Sequence, residues 1–68
     1  MSVYRVTDII GTSTKSWEDA AREALSTAAE SLRDLRVAEV VAQDIALSDD
    51  GKISTFRTKL RVSFKYEK

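Results

Sequence analysis

From Thr55 to Tyr66 the chain alternates without a break. Phe56, Thr58, Leu60, Val62, Phe64 and Tyr66 occupy even positions, while Arg57, Lys59, Arg61, Ser63 and Lys65 occupy odd ones. A period of two places the large apolar groups on one face of a strand and a basic ladder on the other. Each large side chain on that apolar face contributes about 1.5–3 kcal/mol once covered, so the rest of the chain is read as its cover. Val3 to Ile10 is a second β-rich run, with Gly11 as the turn signal that closes it. Both of its faces mix apolar and polar groups: Val3, Arg5, Thr7 and Ile9 on one, Tyr4, Val6, Asp8 and Ile10 on the other. One face is expected to pack within the protomer and the other against a neighbour.

The polar stretch from Gly11 to Ser16 reads as the loop before a helix. Ser16 is the expected N-cap, with Asp19 three positions on and Glu18 beside it adding negative charge to the first turn. Beyond it Ala20, Ala21, Ala24, Leu25, Ala28, Leu32 and Leu35 form one apolar stripe at helical spacing. Its centre, Ala21, Ala24 and Ala28, is small, so the helix is expected to lie close to a sheet that supplies the bulk. Trp17, at the start of the helix, is placed as a cap over the helix and sheet seam. Arg36 to Leu47 follows as a strand without an intervening glycine or proline. Its even positions Ala38, Val40, Ala42 and Ala46 are expected to bed the helix. Ser48-Asp49-Asp50-Gly51-Lys52 is then a hairpin loop, with Asp-Gly supplying a left-handed position.

The order is β-α-β-β. A helical crossover makes the first two strands parallel and the hairpin makes the third antiparallel to the second, which is satisfied if the third lies in the middle. The expected fold is α+β: one domain over residues 1–68, with a three-stranded antiparallel sheet, third strand central, wrapped around one helix.

Composition narrows the chemistry. A chain of 68 residues falls below the roughly 70–80 at which a single core supplies ample stability. With no cysteine and no histidine, a disulfide, a thiolate metal cage and a His-dependent triad are excluded, and no nucleophile and base can be paired. The remaining staple is self-association, and the expected class is a binding protein rather than an enzyme. No run is long and apolar enough for a signal peptide or a membrane span, so the expected location is the cytoplasm, with no membrane partner. The formal charge is zero, yet residues 52–68 carry six bases against Glu67, while residues 1–51 carry five bases against ten acids. Opposed halves suit association of copies better than nucleic-acid binding, which calls for an overall basic excess.

Val3-Tyr4, Ile9-Ile10-Gly11-Thr12-Ser13, the alanine-rich helix ending Ser31-Leu32-Arg33-Asp34-Leu35, Ala38-Glu39-Val40 and Leu60-Arg61-Val62-Ser63-Phe64 together resemble a dodecin over nearly the whole chain. The resemblance implies a hollow homododecameric shell that binds or stores a small ligand. Many dodecins stack flavins between tryptophans, at the position that is Val37 here, and bond the flavin edge through a glutamine at the position of Arg57. Val37, Gln43 and Arg57 therefore mark the flavin-site region, altered in this chain because valine offers no π-face. Asp34-Leu35-Arg36-Val37-Ala38 and Val41-Ala42-Gln43-Asp44 look closer to a tryptophan-less branch that includes calcium-binding dodecins. Calcium is the leading ligand, with riboflavin or FMN in an altered site, or a shell without a small ligand, as alternatives. The candidate metal-ligating carboxylates are Asp8, Glu39, Asp44, Asp49 and Asp50, none of them in an EF-hand loop.

Overall fold

The computed structural model describes residues 2–65. Strand β1 (Tyr4–Ser13) leads to helix α1 (Trp17–Ser31), strand β2 (Leu35–Leu47) and strand β3 (Ile53–Lys65). The sheet order is β1-β3-β2, and both outer strands run antiparallel to β3. The alternating stretch that opened the sequence is thus the spine of the molecule. Its even residues face the helix: Thr58, Leu60 and Val62 are fully buried, and Phe56 and Phe64 half-buried. Tyr66, expected on the same face, lies outside the described residues.

The helix begins as its residues dictate. Ser16, in extended backbone, accepts the Asp19 N–H on its Oγ at 3.0 Å, and Glu18 and Asp19 lie in the first turn. The Asp19 carboxylate does not close a capping box; it accepts the Ser13 hydroxyl at 2.7 Å and so ties the helix to the end of β1. The buried stripe is Ala20, Ala24 and Ala28, one step round from the expected centre, with Ala21 and Leu25 at its margin. The helix ends at Ser31, where the Leu32 N–H bonds the Ala28 carbonyl. Asp34 then takes φ 57°, the left-handed position a glycine would usually fill, and the chain enters β2 directly.

Two expectations are corrected. Gly11 does not end β1: the strand runs on to Ser13, and Gly11 lies within it opposite Thr58. A Cβ there would meet the Ala20 carbonyl oxygen at 2.0 Å, so the absent side chain is what lets α1 come down onto the sheet. Nor do the small residues of β2 bed the helix, which rests on β1 and β3. The core is Ala24, Leu60 and Val62, with Ile9, Ala21, Leu25, Leu32 and Leu35 packed around it. β2 supplies only Leu35 to that cluster.

The shape follows. The chain extends 51 × 19 × 16 Å with a radius of gyration of 13.9 Å, against about 11 Å for a compact globule of this length. Its accessible surface is 5195 Å², where a monomer of this mass averages about 4,300 Å². Much of the excess is apolar, since Val37, Val40, Val41, Ile45 and Leu47 of β2 are exposed, as are Tyr4, Val6 and Ile10 of β1.

Candidate functional site

The face of the sheet away from the helix gathers most of the charged candidates, and the register decides how. β3 offers Arg57, Lys59, Arg61 and Ser63 there. On one side β1 sets Thr12 against Arg57, Ile10 against Lys59, Asp8 against Arg61 and Val6 against Ser63. On the other side β2 sets Asp44 against Arg57, Glu39 against Arg61 and Val37 against Ser63. A register shift between Val40 and Ala42 makes Val41 an extra residue in β2, and it inverts the alternation of everything after it. Glu39 therefore shares the outer face with Asp44, while Gln43 turns to the helix side opposite Thr58. Unbroken alternation would have put Glu39 and Gln43 together and sent Asp44 inward.

The two arginines of the basic ladder are paired within the chain. Arg57 donates through Nε and Nη2 to the two carboxylate oxygens of Asp44 at 2.7 and 3.1 Å. Arg61 does the same to Asp8 at 2.9 and 3.2 Å, with Lys59 at 4.0 Å from the same carboxylate. Both arginine forks are thus closed within one chain. The Arg61 hydrogen bond, reinforced by the charges of Arg61 and Lys59, outweighs desolvation and holds Asp8 below the usual carboxylate value of 3.8. The Arg57 hydrogen bond and charge do the same for Asp44. The hydrogen bond and charge of Asp8 raise the pKa of Arg61, and the charge of Glu39, which faces it, adds a smaller push in the same direction; Glu39 makes no ion pair of its own among the described residues.

Asp49 and Asp50 sit in the β2–β3 turn, closed by Gly51 N–H to the Ser48 carbonyl at 2.9 Å with Gly51 at φ 82°. The Asp50 carboxylate accepts the Ser48 hydroxyl and the Lys52 N–H, and these bonds lower its pKa. Asp50 is thus a turn-builder. Among the described residues no three acidic side chains converge closely enough to hold a metal ion. The donors are hard oxygens of the kind calcium takes, but it takes about six to eight of them, more than any described point of one chain offers.

The flavin-site residues are also dispersed. Val37 is 63% exposed on the outer face, its carbonyl accepting the Ser63 hydroxyl at 3.4 Å. Arg57 lies opposite Asp44, six β3 residues from Ser63, which is about 20 Å along a strand. Gln43 is on the other face. A pocket using both Val37 and Arg57 needs more than one copy.

Trp17 serves as the expected seam cap and more. Its indole N–H donates to the Asp44 carbonyl at 3.0 Å, its ring meets Phe56 edge-on at 5.2 Å, and its carbonyl accepts the Thr58 hydroxyl at 2.8 Å. The start of the helix is thereby fastened to β3 and to the strand that carries Asp44. The sequence offers no signal for that long-range bond beyond an indole that needs an acceptor.

Comparison with known proteins agrees with this architecture. The Dodecin family model matches residues 3–67. The chain is 60% identical to the calcium dodecin of Mycobacterium tuberculosis over 65 residues, covering 96% of this chain and 90% of that protein. The crystal structure of that calcium dodecin, described as calcium-chelating with a novel calcium-binding site, superposes with a TM-score of 0.86 at 57% identity, covering 97% of this chain and 93% of the other. The dodecin of Streptomyces coelicolor superposes with a TM-score of 0.91 at 31% identity, covering 98% and 94%.

Proposed function

The chain belongs to the dodecin family, and on that premise we propose that it is a calcium-binding or storage protein that works as a homododecameric shell. One observation carries the proposal. Among the described residues Glu39 is the acid of the outer face without an ion pair of its own, and it stands on β2, a strand whose Val37, Val40, Val41, Ile45 and Leu47 are exposed. Copies that associate to bury β2 bring their Glu39 carboxylates together, and so gather the oxygens that a single chain keeps apart. Asp49, exposed in the hairpin turn, is the other carboxylate open to an ion. Asp8, Asp44 and Asp50 are already engaged by Arg61, Arg57 and the turn and rank behind them. The 60% identity to a calcium dodecin supports the choice of ion.

On this reading the protein acts by binding rather than catalysis: its chain has neither histidine nor cysteine from which a nucleophile and base could be assembled. It is assigned to the cytoplasm, in keeping with the absence of any described helix long and apolar enough to cross a membrane.

Calorimetry with calcium after chelation, on wild type and Glu39→Gln, tests the reading, with ultracentrifugation following assembly. Binding heat that Glu39→Gln weakens at least tenfold, on an intact oligomer, is the expected result. Absence of heat leaves a shell without this ligand, and quenching of riboflavin fluorescence at micromolar protein favours a flavin at Val37. A stable monomer at micromolar concentration removes the shell and every site assigned between copies.

A further inference from the structure

Three acids stand on the outer sheet face, on the two flanking strands, and the arginines of the central strand are shared unequally among them. Arg57 places one donor on each oxygen of Asp44, at 2.7 and 3.1 Å, and Arg61 does so for Asp8 at 2.9 and 3.2 Å. A guanidinium in that fork fills the plane of the carboxylate, where a bidentate metal ion would otherwise sit. Glu39 faces Arg61 in the register, yet the fork is turned to Asp8. We propose that Arg57 and Arg61 are specificity-determining residues that withhold Asp44 and Asp8 from divalent cations, so that the ion falls to Glu39. The inference deepens the calcium reading and rests on it for that consequence alone.

The physical basis is exclusion by an internal cation. An ion arriving at Asp44 must displace the guanidinium or share the carboxylate with it. A single and a double positive charge about 5 Å apart in water repel strongly enough to weaken binding roughly tenfold. The layout of the sheet makes this testable at Asp44, because Thr12, Arg57 and Asp44 lie in one row across β1, β3 and β2. Arg57→Gln removes the charge and leaves an amide oxygen, a hard donor, between the Thr12 and Asp44 side chains. The chain has a single tryptophan, and the Trp17 indole N–H bonds the Asp44 backbone carbonyl at 3.0 Å. An ion on the Asp44 carboxylate is therefore within the short range over which an indole sensitises terbium(III) emission. Because that bond goes to the backbone, Asp44→Asn removes the carboxylate and keeps the antenna.

Terbium(III) chloride is titrated into the wild type, Arg57→Gln, Asp44→Asn and the double variant Arg57→Gln/Asp44→Asn, with excitation of the indole and detection of terbium emission. The expected result is a midpoint at least tenfold lower in terbium for Arg57→Gln than for wild type, with the gain abolished in the double variant. Coincident curves for wild type and Arg57→Gln overturn the proposal, as does a gain that survives Asp44→Asn. Wild-type emission that Asp44→Asn alone removes also overturns it. Should circular dichroism show that Arg57→Gln does not fold, Arg57→Met, which removes both the charge and the fork but keeps a long unbranched side chain, carries the test: tighter than wild type supports it and equal to wild type overturns it. The two readings fail separately. A wild type that binds no calcium in the calorimeter removes the proposed function, while the comparison of Arg57 variants is decided on its own curves.

Discussion

Replacing Gly11 by alanine adds one methyl group at the tightest point of the molecule. The new Cβ would lie 2.0 Å from the Ala20 carbonyl oxygen and 2.9 Å from both the Ala20 carbonyl carbon and the Ala24 Cβ. These obstacles are backbone or one bond from it, so no rotamer change relieves them, and the helix must lift off β1 as a body. An ordinary carbon to oxygen contact is about 3.3 Å, which requires a displacement of more than 1 Å. A gap of 0.5–1 Å already forfeits about a quarter to a half of the dispersion attraction across it, and the buried Ala20, Ala24 and Ala28 are the residues that would lose it. Overpacking typically costs about 1–3 kcal/mol, and with rigid obstacles the expected cost is about 3 kcal/mol, the upper end of that range. For a domain of this size that lowers the melting temperature by about 12–24 °C. Conformational entropy acts in the opposite direction. Gly11 is not in the left-handed region, and at a compatible position Gly→Ala normally stabilises by about 0.4–1 kcal/mol. Gly51→Ala is the control: it meets nothing within 4 Å, but the backbone is at φ +82°, for an expected loss of about 1–2 kcal/mol. Thermal and urea melts at matched protein concentration, needed because association raises apparent stability, compare the variants. A Gly11→Ala protein that melts at or above wild type would refute the close approach as the reason for glycine.

Three further outcomes are expected. The pKa values of Asp8, Asp44 and Asp50 are depressed below 3.8 by their hydrogen bonds. Their stabilisation is therefore fully present above that pH and is lost as pH falls through the lowered folded values; melts from pH 7 to pH 2.5 should show it, more weakly in Asp44→Asn. Trp17→Phe keeps an aromatic ring near Phe56 but loses the 3.0 Å bond to the Asp44 carbonyl, and a loss of about 1 kcal/mol is expected in urea titrations. At Asp34, held at φ 57°, a glycine should be neutral or mildly stabilising, whereas valine should cost about 1–2 kcal/mol, measured in the same titrations.

What could be read without coordinates was what depends on local spacing. The even and odd sorting of Phe56 to Lys65, the cap at Ser16 with its acidic first turn, the alanine stripe and the Asp-Gly hairpin together determine the element order and leave β3 no place but the centre. Each of these signals spans only a few residues, and handedness and connection rules do the rest. The excess of apolar surface was legible for a similar reason, since one short helix cannot cover three strands.

Tertiary structure decided which residues meet. The pairing of Asp44 with Arg57 depends on the extra residue at Val41, which turns the second half of β2 over; no local pattern announces a bulge in a run where both faces are small or apolar. The engagement of Asp8 by Arg61 depends on a strand register that brings together residues 53 positions apart in the chain. The role of Gly11 depends on how closely a helix descends onto a strand, a distance that a turn-forming residue type does not encode. Periodicity determines faces, but only closure of the sheet determines neighbours, and the candidate site is made of neighbours.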